Sequence, residues 1–432
     1  MDPENSVNST LEFQGKLNDT TNMRGYILIW LGQLVSILGS GIVQFAIIWW
    51  LTDKTGSSFV LALATFVGLV PMVIIGPFSG VLADRWNRKK IMLTTDFLQA
   101  IATIGLITLF WMNIVEVWHV LVLIAIRGSF QAFQMPASIS IVPQMVPKTQ
   151  ISRINGLGQI FNNFIFILSP ILGAIILEFY SISIVLWIDV FTFFVAVFTL
   201  ILVTIPPVIK KSVEGLDTKA PSFKAQFFET FEYLKSHGWL PLILGFTIGN
   251  ILINPLFSML PLFIKEIHLG GALELAFIVG TFQVGSLVGS FLIAVRNFVP
   301  KVSTIVTFVF ISFLGLLTIS LSPVGVFEVM AVGALVIGFS IAFIDVGIIS
   351  LLQIHIPPEI QGRIFSVTFT LVKSILPIAL LVIGGAAEFT GLKIIYIICP
   401  LLGLLLVFYL VFIAKVSSLD KRLAESASMS QA

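Results

Sequence analysis

The sequence predicts an all-α membrane protein whose twelve transmembrane helices form two pseudo-symmetric six-helix bundles. Three observations predict it. Of 432 residues, 57% are hydrophobic and only 11% charged, too little polar surface to cover a water-soluble globule. The apolar residues gather in twelve runs of membrane-crossing length. The two halves of the chain also echo one another at an offset of about 210 residues, as internal repeats do in many membrane carriers.

A hydrocarbon core of about 30 Å takes roughly 20 residues of helix. Runs of that size lie near residues 26–51, 59–82, 91–111, 117–146, 154–179 and 182–208, and again near 239–264, 275–295, 302–321, 324–354, 364–387 and 392–414. Helix is the reading for all of them, because a backbone in lipid must satisfy its own hydrogen bonds and these segments are too long for barrel strands. The expected organisation is an amino-terminal tail (1–23), a bundle (24–208), a linker (209–238), a second bundle (239–415) and a carboxy-terminal tail (416–432).

An even number of crossings puts both termini on one side of the membrane. Of the 24 Lys and Arg residues, only Lys54, Lys265 and Lys393 fall in loops on the opposite side, and Arg127 and Lys373 fall inside spans. The positive-inside rule therefore places both termini in the cytoplasm of a multi-pass cell-membrane protein. Asn8 and Asn18 match the glycosylation pattern, but that orientation leaves them unused. The first apolar run begins near Tyr26 and is too long for a signal peptide. In the linker, Phe223, Phe227, Phe231 and Leu234 recur at helical spacing with Lys224, Glu229 and Lys235 elsewhere on the wheel, which predicts an amphipathic helix on the cytoplasmic leaflet.

The single cysteine, Cys399, excludes an internal disulfide, and His119, His237, His268 and His355 never fall at ligand spacing, so no metal site and no cofactor are expected. A net charge of +2 points to no nucleic-acid partner. A monomer surrounded by membrane lipids is expected.

Two polar stripes stand out. The first span carries Gln33, Ser36, Ser40 and Gln44 on one helical face, and the seventh carries Thr247, Asn250, Asn254 and Ser258 at the same spacing. Facing lipid would be expensive, so both stripes are expected to face the bundle interior, as a substrate cavity or as helix-to-helix hydrogen bonds. Gln131, Gln134 and Asn163 join this candidate cavity. "VPKTQISRI" at 146–154 answers "IPPEIQGRI" at 356–364, pairing Pro147 with Pro357 and Arg153 with Arg363. Two halves with a polar seam are the general plan of an alternating-access carrier.

The loop "GVLADRWNRKK", Gly80 to Lys90, resembles the signature between helices 2 and 3 of the major facilitator superfamily, usually G-x-L-a-D-r-x-G-r-k-k. Gly80, Leu82, Asp84, Arg85, Arg88 and Lys89 match. Asn87 stands where the family more often has Gly, and Asn tolerates the left-handed backbone that such a turn uses. "RGSFQAF", from Arg127, is similar to the helix 4 arginine motif of proton-coupled members. "SPILGA", Ser169 to Ala174, resembles the helix 5 antiporter motif, keeping Pro170 and Gly173 without its paired glycines. "LTDKTGSSFVLALATFVGLVP", "WIDV" and "IPPEIQGRIFSV" are similar to the macrolide-efflux and enterobactin-exporter branch of drug:proton antiporters.

The resemblance implies the major facilitator fold, and a loop that latches the two halves when the carrier faces outward, with Asp84 approaching the start of the eleventh span near Gly362 and Arg363. Asp96, early in the third span, sits close to the basic loop in sequence and is expected in the same latch network. The second-half copy, "GSFLIAVRNFVPK", has no aspartate answering Asp84. The cations alone would serve topology, but Asp84 is not needed for that.

Charges inside spans cost roughly 2.5 to 3.5 kcal/mol each on insertion scales, so each calls for a partner or a task. Arg127, Asp189, Asp345 and Lys373 are the candidates for proton coupling. Asp345 and Lys373 lie at depths of roughly 15 and 18 Å on adjacent spans, where they can meet as a structural pair or as a proton-linked one. Arg127 and Asp189 also share a depth, and Asp189 is expected to be structural.

The function expected is secondary active export of hydrophobic or amphipathic small molecules, drug-like or macrolide-like, coupled to protons. A siderophore or metabolite exporter, a proton symporter and a non-transporting receptor or lipid-handling scaffold are the alternatives. No G-x-S-x-G, H-E-x-x-H, P-loop or G-x-G-x-x-G pattern suggests an enzyme. Asp84→Asn is expected to slow transport while membrane insertion, followed by immunoblot of membrane fractions, stays unchanged. Full transport in that variant would remove the latch.

Overall fold

The computed structural model describes residues 23–85, 87–147, 150–205, 223–295, 300–356, 358–416 and 419–420, with certain side chains inside those stretches left out. Twelve of the described helices are long and apolar enough to cross a membrane. The first six are α1 (Met23–Thr55), α2 (Ser58–Arg85), α3 (Arg88–Trp111), α4 (Val117–Met145), α5 (Ile151–Phe179) and α6 (Ile182–Leu202). After the non-spanning α7 (Phe223–Ser236) come α8 (Leu240–Leu262), α9 (Ala272–Val295), α10 (Val302–Ser320), α11 (Phe327–His355), α12 (Pro358–Thr390) and α13 (Leu392–Phe408). A π turn extends α8 through Phe263–Ile267 and another extends α13 through Tyr409–Ile413.

The spans follow the apolar runs because in hydrocarbon a helix is the conformation that satisfies every backbone group locally. Where the two differ, local chemistry explains it. The sixth span stops at Leu202, short of the expected residue 208, because Val203 is extended at φ −107°, ψ 132° and the Lys89 ammonium binds the carbonyl oxygens of Ile201 and Val203 at 3.2 and 2.7 Å. A cation at the carboxy end of a helix satisfies orphan carbonyls and complements the helix dipole. The link between α12 and α13 is the single residue Gly391, at φ 94°, a conformation that a Cβ would strain.

Contacts divide the chain into two compact units: Met1–Ile47 with Val67–Gly215, and Ile48–Phe66 with Leu216–Ala432. In the first unit, small residues let α1 approach its neighbours. A Cβ at Gly32 or Gly39 would fall on Thr199 or Thr192 of α6, and one at Gly41 would fall on Ser169 of α5. Tyr26, Ile29, Met92, Ile141, Met145 and Leu200 form a buried apolar cluster at the end of this unit where α1 begins.

The second unit is built on closer approaches. A Cβ at Gly338 on α11 would fall on the backbone of Phe282 on α9, and Gly315 of α10 meets Gly333 of α11. Backbone proximity is the main source of helix association in lipid, where burial of apolar surface adds no driving force. Tyr396 of α13 donates to the Leu256 carbonyl oxygen at 2.5 Å and stacks on Phe263 at 3.8 Å between ring centroids. On the side opposite the termini, Lys265 binds Asp53 at 2.6 Å, and Glu388 accepts from Ser57 and Ser58 at 3.1 and 3.0 Å.

The amphipathic helix α7 forms as expected, but it packs on α8 and α12 of the second unit. Leu234 is fully buried and Thr230 nearly so. At Leu234 and Thr230 this helix is thus covered by protein, a detail that periodicity does not encode. Phe223, Lys224 and Phe227 have side chains outside the described set.

Gly338→Leu should lower the thermal unfolding midpoint of the purified chain in detergent, by the equivalent of about 1–3 kcal/mol of overpacking. Gly105→Ala, where an added Cβ meets nothing within 4 Å, is the control and should leave the midpoint unchanged.

Candidate functional site

Two buried carboxylates organise the polar interior of the first unit. Asp189, near the middle of α6, is 0% exposed and sits in a run otherwise dominated by apolar residues. The Arg127 guanidinium of α4 grips it through both nitrogens, Nη1 on Oδ2 and Nη2 on Oδ1 at 3.4 Å. Ser40 of α1 donates to Oδ1 at 3.0 Å and Thr103 of α3 donates to Oδ2 at 3.2 Å. Arg127 also lies over the Phe193 ring, 5.7 Å from its centroid. Four helices therefore converge on one carboxylate.

Asp96 is likewise 0% exposed, but its described hydrogen-bond partners are neutral. Gln33 Nε2 donates to Oδ2 at 3.2 Å and Gln134 Nε2 donates to Oδ1 at 2.6 Å. Gln134 also reaches Gln33 Oε1 and accepts from Gln99, both at 3.3 Å. The sequence grouped Asp96 with the basic loop. Its described hydrogen bonds instead join it to two amides assigned to the cavity, because its turn of α3 faces α1 and α4.

The polar stripe of α1 consequently divides. Gln33 and Ser40 are held by these carboxylates, Ser36 is buried and Gln44 is exposed. Gln131 is exposed and Asn163 half-buried. On α8, Thr247 is buried and donates to the Ile243 carbonyl at 2.9 Å. Asn250, Asn254 and Ser258 are half-buried and bond to carbonyls of their own helix at 2.8–2.9 Å. A polar group that caps its own helix turn is less costly in a span and remains turned to one face.

The two charged side chains of the second unit behave differently. Asp345 on α11 and Lys373 on α12 are both exposed. Lys373 is near enough for Asp345 to feel its charge, yet the two form no ion pair among the described residues.

In the signature loop, Asn87 corrects a sequence expectation. It is extended at φ −70°, ψ 114°, and its Oδ1 accepts from the Lys90 amide at 3.3 Å. Asn thus serves here as the amino-terminal cap of α3, and the left-handed turn is not used. Arg88 donates to the Ser140 carbonyl oxygen on α4 at 3.3 Å, and Lys89 caps α6. These two cations fasten the loop within the first unit, a role spacing alone did not reveal. The side chains of Gly80, Asp84, Arg85, Gly362 and Arg363 lie outside the described residues.

Comparison with known proteins gives consistent results. The Major Facilitator Superfamily family model matches residues 29–379. Macrolide efflux protein A of Streptococcus pyogenes is 30% identical over 392 residues, covering 88% of this chain and 96% of that protein. Multidrug efflux pump Tap of Mycolicibacterium fortuitum is 21% identical over 414 residues, covering 93% of this chain and 98% of its own. Among solved structures, a bacterial homologue of the iron transporter ferroportin, in its inward-facing state, superposes with a TM-score of 0.67 at 15% identity, covering 91% and 99% of the two chains. That last likeness shows the fold.

Removing one partner of a buried ion pair strands the other charge, at a cost of about 3–5 kcal/mol. Arg127→Leu should therefore strongly destabilise the chain, and Arg127→Leu combined with Asp189→Leu should recover most of the loss. Thermal unfolding of the three purified proteins checks it. A double variant no better than the single one would contradict the pairing.

Proposed function

The chain belongs to the Major Facilitator Superfamily and is a multi-pass membrane transporter of small molecules, not an enzyme; from that premise we propose that it exports hydrophobic or amphipathic, macrolide-like compounds by alternating access, driven by protons. Both termini lie in the cytoplasm, following the bias of Lys and Arg among the loops. Similarity to a macrolide efflux protein over 88% of the chain supports the cargo class.

The observation that carries proton coupling is the contrast between the two units. In the first, Asp189 is saturated by Arg127, Ser40 and Thr103. It works as a structural anchor. In the second, Asp345 and Lys373 are charged groups on spanning helices with no ion-pair partner among the described residues. A charge at that depth is tolerable only where it meets water or an exchangeable partner. Asp345 then takes and releases the proton, and its charge state governs the attraction of the neighbouring Lys373 ammonium.

In this reading each unit offers cargo its own hydrogen-bonding groups, exposed Gln44 and Gln131 in the first and half-buried Asn250, Asn254 and Ser258 in the second. Asp84 and the signature loop serve as the gate latch in this reading.

Proteoliposomes loaded with a pH dye and challenged with macrolides, lipophilic cations and siderophores provide the test. A macrolide should provoke proton movement in the wild type, and Asp345→Asn should abolish that response while macrolide binding persists. An unchanged response in Asp345→Asn would sink the coupling role. Proton movement with siderophores alone would move the cargo class to the alternative.

A further inference from the structure

The second unit carries a groove that the transport reading leaves unused. It runs between the first turns of α10 and the last turns of α13 and has a volume of about 530 Å³. Its floor is Val306, Val407 and Leu410, exposed by 6%, 6% and 3%, and its walls are Phe310, Phe408 and Phe412, exposed by 42%, 55% and 63%. Phe408 and Phe412 lie together along one wall, with ring centroids 4.6 Å apart. Their i, i+4 spacing puts both rings on one face of the helix end. Ser303 and Thr307 supply the polar lining, toward the start of α10.

That end of the groove is closed by the returning chain. The Val416 amide donates to the Leu410 carbonyl at 3.0 Å. Asp420 accepts from the amides of Val302 and Ser303 at 2.7 and 3.0 Å, so its charge is answered by the amino terminus of α10. Two exposed cations flank the helices that form the groove: Lys301, the residue preceding α10, two before the groove residue Ser303, and Lys415, in the turn after α13 at φ 47°, three after the groove residue Phe412. Neither forms an ion pair among the described residues. Ser303 makes no side-chain hydrogen bond among them either.

We propose that this groove binds one anionic phospholipid, with an acyl chain along Phe310, Phe408 and Phe412 and the phosphate between Lys301 and Lys415. The volume falls within the roughly 300–1,000 Å³ typical of ligand sites. The slot is largely apolar along its length, with Lys301 and Lys415 next to it in the chain where α10 begins and α13 finishes, the end expected at the depth of the head groups. A zwitterionic lipid fits the slot but brings no net charge to the two ammonium groups. A second copy of the chain would meet uncompensated lysines beside the slot. The proposal rests on membrane residence and not on the identity of the exported compound.

Native mass spectrometry of the purified full chain reads it directly, using phosphatidylglycerol and phosphatidylcholine with identical acyl chains. The wild type should retain one phosphatidylglycerol with a preference on the order of tenfold. Lys301→Gln with Lys415→Gln should erase the preference while weak retention of either lipid remains. Val411→Trp, which fills the slot from a position 37% exposed, should lose both lipids, with thermal unfolding of each variant confirming that it is folded. Equal retention of the two lipids by the wild type overturns the proposal, as does an undiminished preference in the lysine variant. Displacement of the lipid by a macrolide, or groove-dependent dimers in its place, would do the same. Retention is measured without transport, so a failed transport assay and a failed lipid assay remain distinguishable.

Discussion

The bidentate contact between Arg127 and Asp189 is the interaction on which the interior of the first unit depends. Each of these groups alone in a span costs roughly 2.5 to 3.5 kcal/mol on insertion scales, and their attraction grows as the surrounding dielectric falls. The pair also leaves carboxylate lone pairs to fill, and Ser40 and Thr103 fill them. One ionic contact therefore fixes α1, α3, α4 and α6 in a single register. Asp96 extends the same design with neutral donors, tying α1 and α4 to α3 through Gln33 and Gln134.

The second unit solves the packing problem by other means. Glycines at 285, 315, 333 and 338 bring helix backbones into near contact, and Tyr396 bonds across to α8. Polar side chains on α8 bond to their own helix, and Asp345 and Lys373 form no ion pair among the described residues. The two halves echo one another in sequence but differ in this respect. One is cross-braced by ionic and amide contacts, and the other is close-packed through glycine-mediated backbone contacts.

The span count was legible because membrane insertion reads hydropathy locally, and each helix closes its own hydrogen bonds. The pairing of Arg127 with Asp189 was half legible: equal depth suggested it, but depth says nothing of which faces turn toward each other. The bonds of Asp96 to Gln33 and Gln134 were not legible, because proximity in sequence to the basic loop says nothing of the face of α3 on which it sits. Asn87 was misjudged because the expected turn was borrowed from glycine, whereas asparagine also caps helices through its side chain. Lys89 looked like a topological cation, and only the termination of α6 beside it revealed its second duty.

By itself, the amino-acid order determined how many times this chain enters lipid, which loops are basic and which residues are too polar to face hydrocarbon, since all three depend on composition within some twenty consecutive residues. Tertiary structure alone decided which of those polar residues are spent on one another and which stay exposed. The physical reason is that helix rotation and approach are set by contacts between residues dozens to hundreds of positions apart, such as Ser40 with Asp189 or Val302 with Asp420. No local pattern carries that information.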